Sequence, residues 1–285
     1  YKYFTQNPGE LQALRDTANL NDSSNRVVVK VIATESDEQR NQIIQATNSQ
    51  TAVSKASLRA TDLIHRQIEQ YFDKSEVSSL VYDRRKGYAS SQGIVASNVL
   101  QIEELAQAVL STGLLVPNVA WASPGSAIKD DSRYESCFGD GAFELDDYLW
   151  MAQLYKQTSR VARDNLDRGD HNLRFYALMV LGILVSGYSK DDIIVTPSSG
   201  KKQIKKSIRL PIRNHAKFND ELILNLMEAL RSILEQGAKE HRTERSKFAK
   251  GADFRTIVAQ RYFDRRSLIY GVLKDEFDEE LNSQL

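Results

Sequence analysis

The run FYALMVLGILV, Phe175–Val185, constrains the fold more than any other stretch, because eleven consecutive residues carry no charge. It has about half of the roughly 20 residues that span a bilayer, so it does not read as a membrane helix. Nor does it have the polar face of a surface helix. The segment His171–Ser186 therefore predicts a central helix buried on all sides, ended by Gly187. Such a helix needs apolar partners all round it, and the flanking sequence supplies them. Leu145–Asp167 is amphipathic, and Asn219 opens a helix that turns Leu222, Leu226, Leu230 and Ile233 to one face and closes at Gly237. A last helix over 254–281 presents Phe254, Ile257, Val258, Tyr262, Leu268, Ile269, Val272 and Phe277.

The N-terminal part differs in kind. RVVVKVIA, 26–33, is short and β-branched and predicts a strand. Ser36 with Gln39 three residues on predicts a capped helix running to about Thr47. A second helix over 59–72 buries Ile64, Ile68, Tyr71 and Phe72; SLVYDRRKGY predicts a strand ending in a basic turn at Gly87, and Ile102–Leu115 is helical. Pro117, Pro124, Gly125 and Gly139 mark 116–140 as a linker or extended segment. The expected fold class is α+β, predominantly α: a small N-terminal strand-helix-helix-strand unit over 1–115, packed on an all-α bundle over 141–285.

A hydrophobic content of 41% with five prolines excludes a disordered chain. The single cysteine, Cys137, excludes an intramolecular disulfide and fits a reducing compartment. YKYFTQNPGE has no secretory pattern, which makes the expected location cytoplasmic; without an initiator methionine the chain reads as a fragment. The net charge of zero hides an asymmetry. Residues 193–266 hold 17 Lys and Arg against 8 Asp and Glu, which leaves 21 against 30 elsewhere. Within that region Lys201, Lys202, Lys205, Lys206, Arg209, Arg213 and Lys217 occur with no acid between them. This segment is either a phosphate-neutralising surface for DNA or RNA or a solvated hairpin, and it can equally meet the acidic half of its own chain.

Two shorter stretches carry polar chemistry. In ATNSQTAVSKASL, Asn48 suits the left-handed end of a helix, while Ser49 and Gln50 can also hold a base edge, a phosphate or a neighbouring loop. YDRRKG places Arg84, Arg85 and Lys86 at a strand end, where guanidiniums bind phosphate or simply form a charged hairpin tip. Because successive strand residues face opposite ways, Arg84 and Arg85 reach one ligand only where the strand has turned.

A strand, a helix ending in ATNSQTAVSKASLRATDL, then HRQIEQYF, VYDRRKGY and IEELAQAVL, continuing into SPGSAIKDDSRYESCF, resembles the abortive infection phage resistance (AIPR) protein family over Val27–Phe138. The resemblance implies a bacterial antiviral defence protein acting in the cytoplasm on nucleic acid, and carries the family's pattern onto Thr47, Asn48, Gln50, Tyr82, Arg84, Arg85 and Lys86. The glycine-glutamine-threonine type turn that family members place before the strand has no counterpart here.

Catalytic signatures are sparse. No Glu-x-Lys occurs, SSGKKQ lacks the order of a phosphate loop, and His65, His171, His215 and His241 stand too far apart for paired zinc ligation. Arg59 with His65 and Arg209 with His215 have the spacing of metal-independent helical ribonucleases. The aspartate pairs 130/131, 146/147 and 191/192 fit helix starts, and Cys137 has no base nearby in sequence.

The leading expectation is a nucleic-acid or partner recognition region without its own catalytic centre. Its candidate residues are Asn48, Gln50, Arg84, Arg85, Lys86, Lys201, Lys202, Lys205, Lys206 and Arg209. A ribonuclease and a structural or self-associating scaffold are the alternatives. No metal, cofactor or membrane partner is indicated.

Overall fold

The apolar run does become a buried helix. In the computed structural model, which describes residues 36–39, 41–43, 58–76, 78–85, 87–198, 200–205, 208–212 and 215–263, it forms the helix Leu173–Ser186, with every residue but Arg174 buried. Gly187 ends it in the left-handed conformation, φ 73°, as a helix-terminating glycine does. Each large aliphatic side chain buried in this way contributes roughly 1.5–3 kcal/mol.

Two compact units divide the chain, Tyr1–Thr47 and Asn48–Leu285. In the first, residues 37–39 and 41–43 are helical and the Ser36 hydroxyl accepts a hydrogen bond from the Gln39 N–H at 3.2 Å, which is one half of the expected capping box. The strand expected at 26–33 lies outside the described residues.

The second unit begins, among its described elements, with α1 (Leu63–Lys74) and β1 (Val81–Asp83), followed by α2 (Tyr88–Ser91), β2 (Val99–Gln101) and α3 (Ile102–Thr112). β1 and β2 pair in parallel, Tyr82 opposite Leu100. Three short helices follow, α4 (Pro117–Ala122), α5 (Ser126–Lys129) and α6 (Asp131–Phe138). These helices occupy the stretch 116–140, expected to be a linker or extended segment. Pro117 starts a helix rather than preventing one, since a first-turn proline lacks only an N–H that the helix does not use. Ala120, Ala127, Ile128, Tyr134, Cys137 and Phe138 from this stretch are buried.

The remaining elements are α7 (Leu145–Asn165), α8 (Leu173–Ser186), α9 (Lys190–Ile193), the antiparallel pair β3 (Ile194–Val195) and β4 (Gln203–Ile204), α10 (Asp220–Glu240), α11 (Arg245–Ala249) and a helix over 252–263. The architecture is α+β and predominantly α. α8 packs against α3, α4, α7 and α10. At its crossing with α3, any Cβ on Gly182 would overlap the Thr112 carbonyl, so the glycine sets how closely the two helices approach. One hydrophobic cluster runs through the described part of this unit, from Ala60 to Tyr262.

Helix caps follow local chemistry. The Asn219 side chain accepts from the Leu222 N–H at 2.8 Å, as its position before an apolar face predicts. Gly237, expected to close that helix, instead lies inside it, because the Phe248 ring occupies the space a Cβ would need. Asp130 caps α6, and Asp146 with Asp147 and Asp191 with Asp192 stand in the first turns of α7 and α9, where carboxylates favour the helix dipole. Among the described residues no helix is long and apolar enough to cross a membrane.

Candidate nucleic-acid interface

The strand-end arginines part company. Arg84 turns inward: its Nε donates to Glu69 Oε2 at 2.6 Å and its Nη1 to the Ala60 carbonyl at 2.7 Å. Arg85 turns outward, its guanidinium carbon 4.6 Å from the centre of the Tyr88 ring. Tyr88 is 50% exposed, so its side chain is open to solvent beside the guanidinium. The corner between them is held by Gly87 at φ 92° and by the Asp83 carboxylate, which accepts from the Gly87 N–H at 3.0 Å. Arg84 thus braces the strand end while Arg85 and Tyr88 form an exposed cation-aromatic platform. Asn48, Gln50 and Lys86 lie outside the described residues.

The basic segment 201–217 contributes to a hairpin and then to a strap. Lys201 reaches the Asp253 carboxylate at 2.8 Å. Lys202 and Lys205 are exposed, and Lys205 helps to hold the Asp192 carboxyl below its ordinary range, after the stronger effect of the Ser189 hydrogen bonds. Beyond the hairpin, Ile208 and Leu210 are buried and Arg209 between them is exposed, the alternation of an extended chain. The Leu210 N–H bonds the Gly113 carbonyl at 2.8 Å and fixes this register. Arg209 donates to the Gly141 carbonyl at 3.2 Å and the Ser136 carbonyl at 3.4 Å. Lys206 and Arg213 lie outside the described residues.

The arginine-histidine pairs occupy two different settings. His65 is fully buried, its ring edge-on to Phe138 at 4.7 Å between centroids. Both of its nitrogens are bonded. Tyr134 donates to Asp62 Oδ2 at 2.6 Å, so its oxygen accepts the second bond, from His65 Nε2–H at 3.0 Å. Nδ1 is then the acceptor of the Tyr82 O–H at 2.7 Å. Burial above all, then the Arg84 and Arg59 charges, lowers the His65 pKa to about 3, which keeps the ring neutral. Arg59 lies over the Tyr134 ring at 3.8 Å and pairs with Asp131 at 2.7 Å. An imidazole enclosed in this way has no nitrogen left to exchange a proton with a phosphodiester. His215 is in the open, with Nε2 2.9 Å from Asp147 Oδ1 and its ring tilted against Trp150.

This tyrosine-histidine network had no readable signal in the sequence, because His65 stands 17 residues from Tyr82 and 69 from Tyr134. It backs a hollow of about 670 Å³ whose carboxylates are Asp62, Glu135, Asp140 and Glu144. Among the described residues no group of three or more His, Cys, Asp or Glu side chains is placed to hold a metal ion. Burial pushes the Cys137 thiol up to about 12, leaving it protonated and without nucleophilic character.

Comparisons with curated proteins and with solved structures return no match. A family model described as AIPR protein matches residues 10–266, well beyond the stretch whose motifs carry the resemblance in sequence. The chain belongs to the AIPR family, and with it to the proteins of abortive-infection defence against phage.

Proposed function

We propose that this chain serves bacterial anti-phage defence as a recognition region for nucleic acid, in the cytoplasm and without its own catalytic centre. One observation carries the proposal: the exposed Tyr88 ring with the Arg85 guanidinium 4.6 Å from its centre, at a corner that Arg84 and Asp83 brace from within. A tyrosine face accepts any base by stacking, and a neighbouring guanidinium adds attraction to both base and phosphate. Lys202 and Lys205 add exposed positive charge of the kind that tracks a phosphate backbone. Asn48, Gln50, Lys86 and Lys206 remain part of the proposed surface.

The scaffold reading has its own support. Lys201 is committed to Asp253 within the chain, so part of the basic segment already has an acidic partner.

Binding of labelled single-stranded DNA and RNA at two salt concentrations tests the proposal. Arg85→Ala with Tyr88→Ala is expected to weaken binding about tenfold, consistent with roughly 1–3 kcal/mol per stacked base. Lys202→Ala with Lys205→Ala is expected to flatten the salt dependence. Parent-like retention by both double variants removes this surface from consideration.

A further inference from the structure

A groove of about 460 Å³ lies between the end of α3, α4 and α6, on the side of α6 away from His65. Its floor is aliphatic, including Leu110, Val119 and Ile208, and its rim carries Ser132, Arg133 and Arg209. No carboxylate is among the described residues that line it. A volume of this size falls within the range of small-molecule sites.

The two guanidiniums are placed by different devices. Arg209 is fixed by the buried residues on either side of it and by the Gly141 and Ser136 carbonyls, which take two of its five N–H donors and leave the rest for a ligand. Arg133 stands in the first turn of α6, where its backbone N–H is capped by Asp130 at 2.9 Å. Its side chain is exposed, and among the described residues no carboxylate pairs with it. Both charges act on the buried Cys137, Arg209 more than Arg133, pulling against the burial that raises its thiol. The positive field of the rim therefore reaches into the protein beneath the groove.

Two guanidinium forks without a carboxylate suit a phosphate, which takes paired N–H donors. An aliphatic floor suits a flat ring, and the Ser132 hydroxyl can meet a sugar or base edge. We propose that this groove binds a nucleoside monophosphate, its phosphate between Arg133 and Arg209 and its base on the aliphatic floor. The site is separate from the Arg85–Tyr88 platform and does not depend on it.

Isothermal titration of the full chain tests this, using the adenosine, guanosine, cytidine and uridine monophosphates beside inorganic phosphate, the four free nucleosides and octanoate. At least one monophosphate is expected to bind about tenfold or more tightly than inorganic phosphate and than its own nucleoside, since each tenfold is about 1.4 kcal/mol. Arg133→Glu and the milder Arg133→Gln are expected to lower that affinity, the first by about tenfold or more, with the melting temperature unchanged. Arg85→Ala with Tyr88→Ala is expected to leave it intact. The proposal is overturned by no monophosphate binding at millimolar concentration, by phosphate or octanoate binding as tightly as the best monophosphate, or by parent-like affinity in both Arg133 variants.

Discussion

α6 is eight residues long and separates two hollows of opposite sign. Ser132, Arg133 and Ser136 line the cationic groove, while Tyr134, Glu135 and Phe138 line the acidic hollow. Both sets recur with the spacing that puts residues on one helical face. Their polar groups are used differently. On the acidic side, Asp62 accepts from Tyr134 and lies 3.6 Å from Arg59, and the Tyr134 oxygen is also bonded to a buried imidazole. On the groove side, the Arg133 guanidinium faces solvent with no carboxylate partner among the described residues. One face of α6 is therefore committed to holding the fold, and the other is available to a ligand. A cavity's charge alone does not distinguish these cases; the hydrogen-bond partners of its polar groups do.

Substitutions on the committed side test that contrast most severely. His65→Ala removes a fully buried ring and both of its bonds, leaving two tyrosine hydroxyls short of a partner; a loss on the order of 4 kcal/mol is expected from denaturant midpoints. Tyr134→Phe keeps the ring but strips the oxygen, leaving a buried imidazole N–H unbonded, for about 2 kcal/mol.

Acid titration sharpens the same point. His65 titrates at about 3 in the folded chain against 6.5 when free, so the unfolded chain takes up the proton first. Stability is then held above pH 6.5 and is lost as the pH falls toward 3, by about 2 kcal/mol between pH 7 and pH 5. His65→Gln should lose less over that interval, and equal acid sensitivity in the two proteins would remove His65 as the cause. At the small end, Arg133→Ala should move stability by no more than about 0.5 kcal/mol, as expected of an exposed side chain. A larger loss would place both faces of α6 in the same structural role.

Some of this was legible in the sequence. The apolar run led to α8 because burial on all sides leaves no polar face, and Asn219 marked a helix start because an asparagine before an apolar face has one local use. Gly237 and Pro117 misled for a common reason. Each is read locally as a breaker, yet Gly237 answers to a phenylalanine eleven residues on, and Pro117 to a first-turn position that requires no donor. The fates of Arg84 and Arg85 were half legible: alternation along a strand separates them, but only the fold supplies Glu69 to one and Tyr88 to the other. Arg133 and Ser136 belong to SPGSAIKDDSRYESCF, which carries part of the family resemblance, and share a groove only because the fold sets α3 and the 208–209 strap opposite them.

The donors from Tyr82 through His65 and Tyr134 to Asp62 all point one way, and this bears on how related chains can vary. No member can reverse its proton without reversing its neighbours, so a phenylalanine at either tyrosine position, arising alone, leaves the ring one bond short. Phenylalanine at position 82 together with a nonpolar residue at position 65 removes the demand, because the Tyr134 hydroxyl still donates to Asp62. Phenylalanine at 134 with a nonpolar residue at 65 instead leaves the buried Tyr82 hydroxyl without its acceptor. Aligned relatives should therefore keep the Tyr82 hydroxyl and the imidazole together or lose them together, and intermediates carrying one without the other should be scarce.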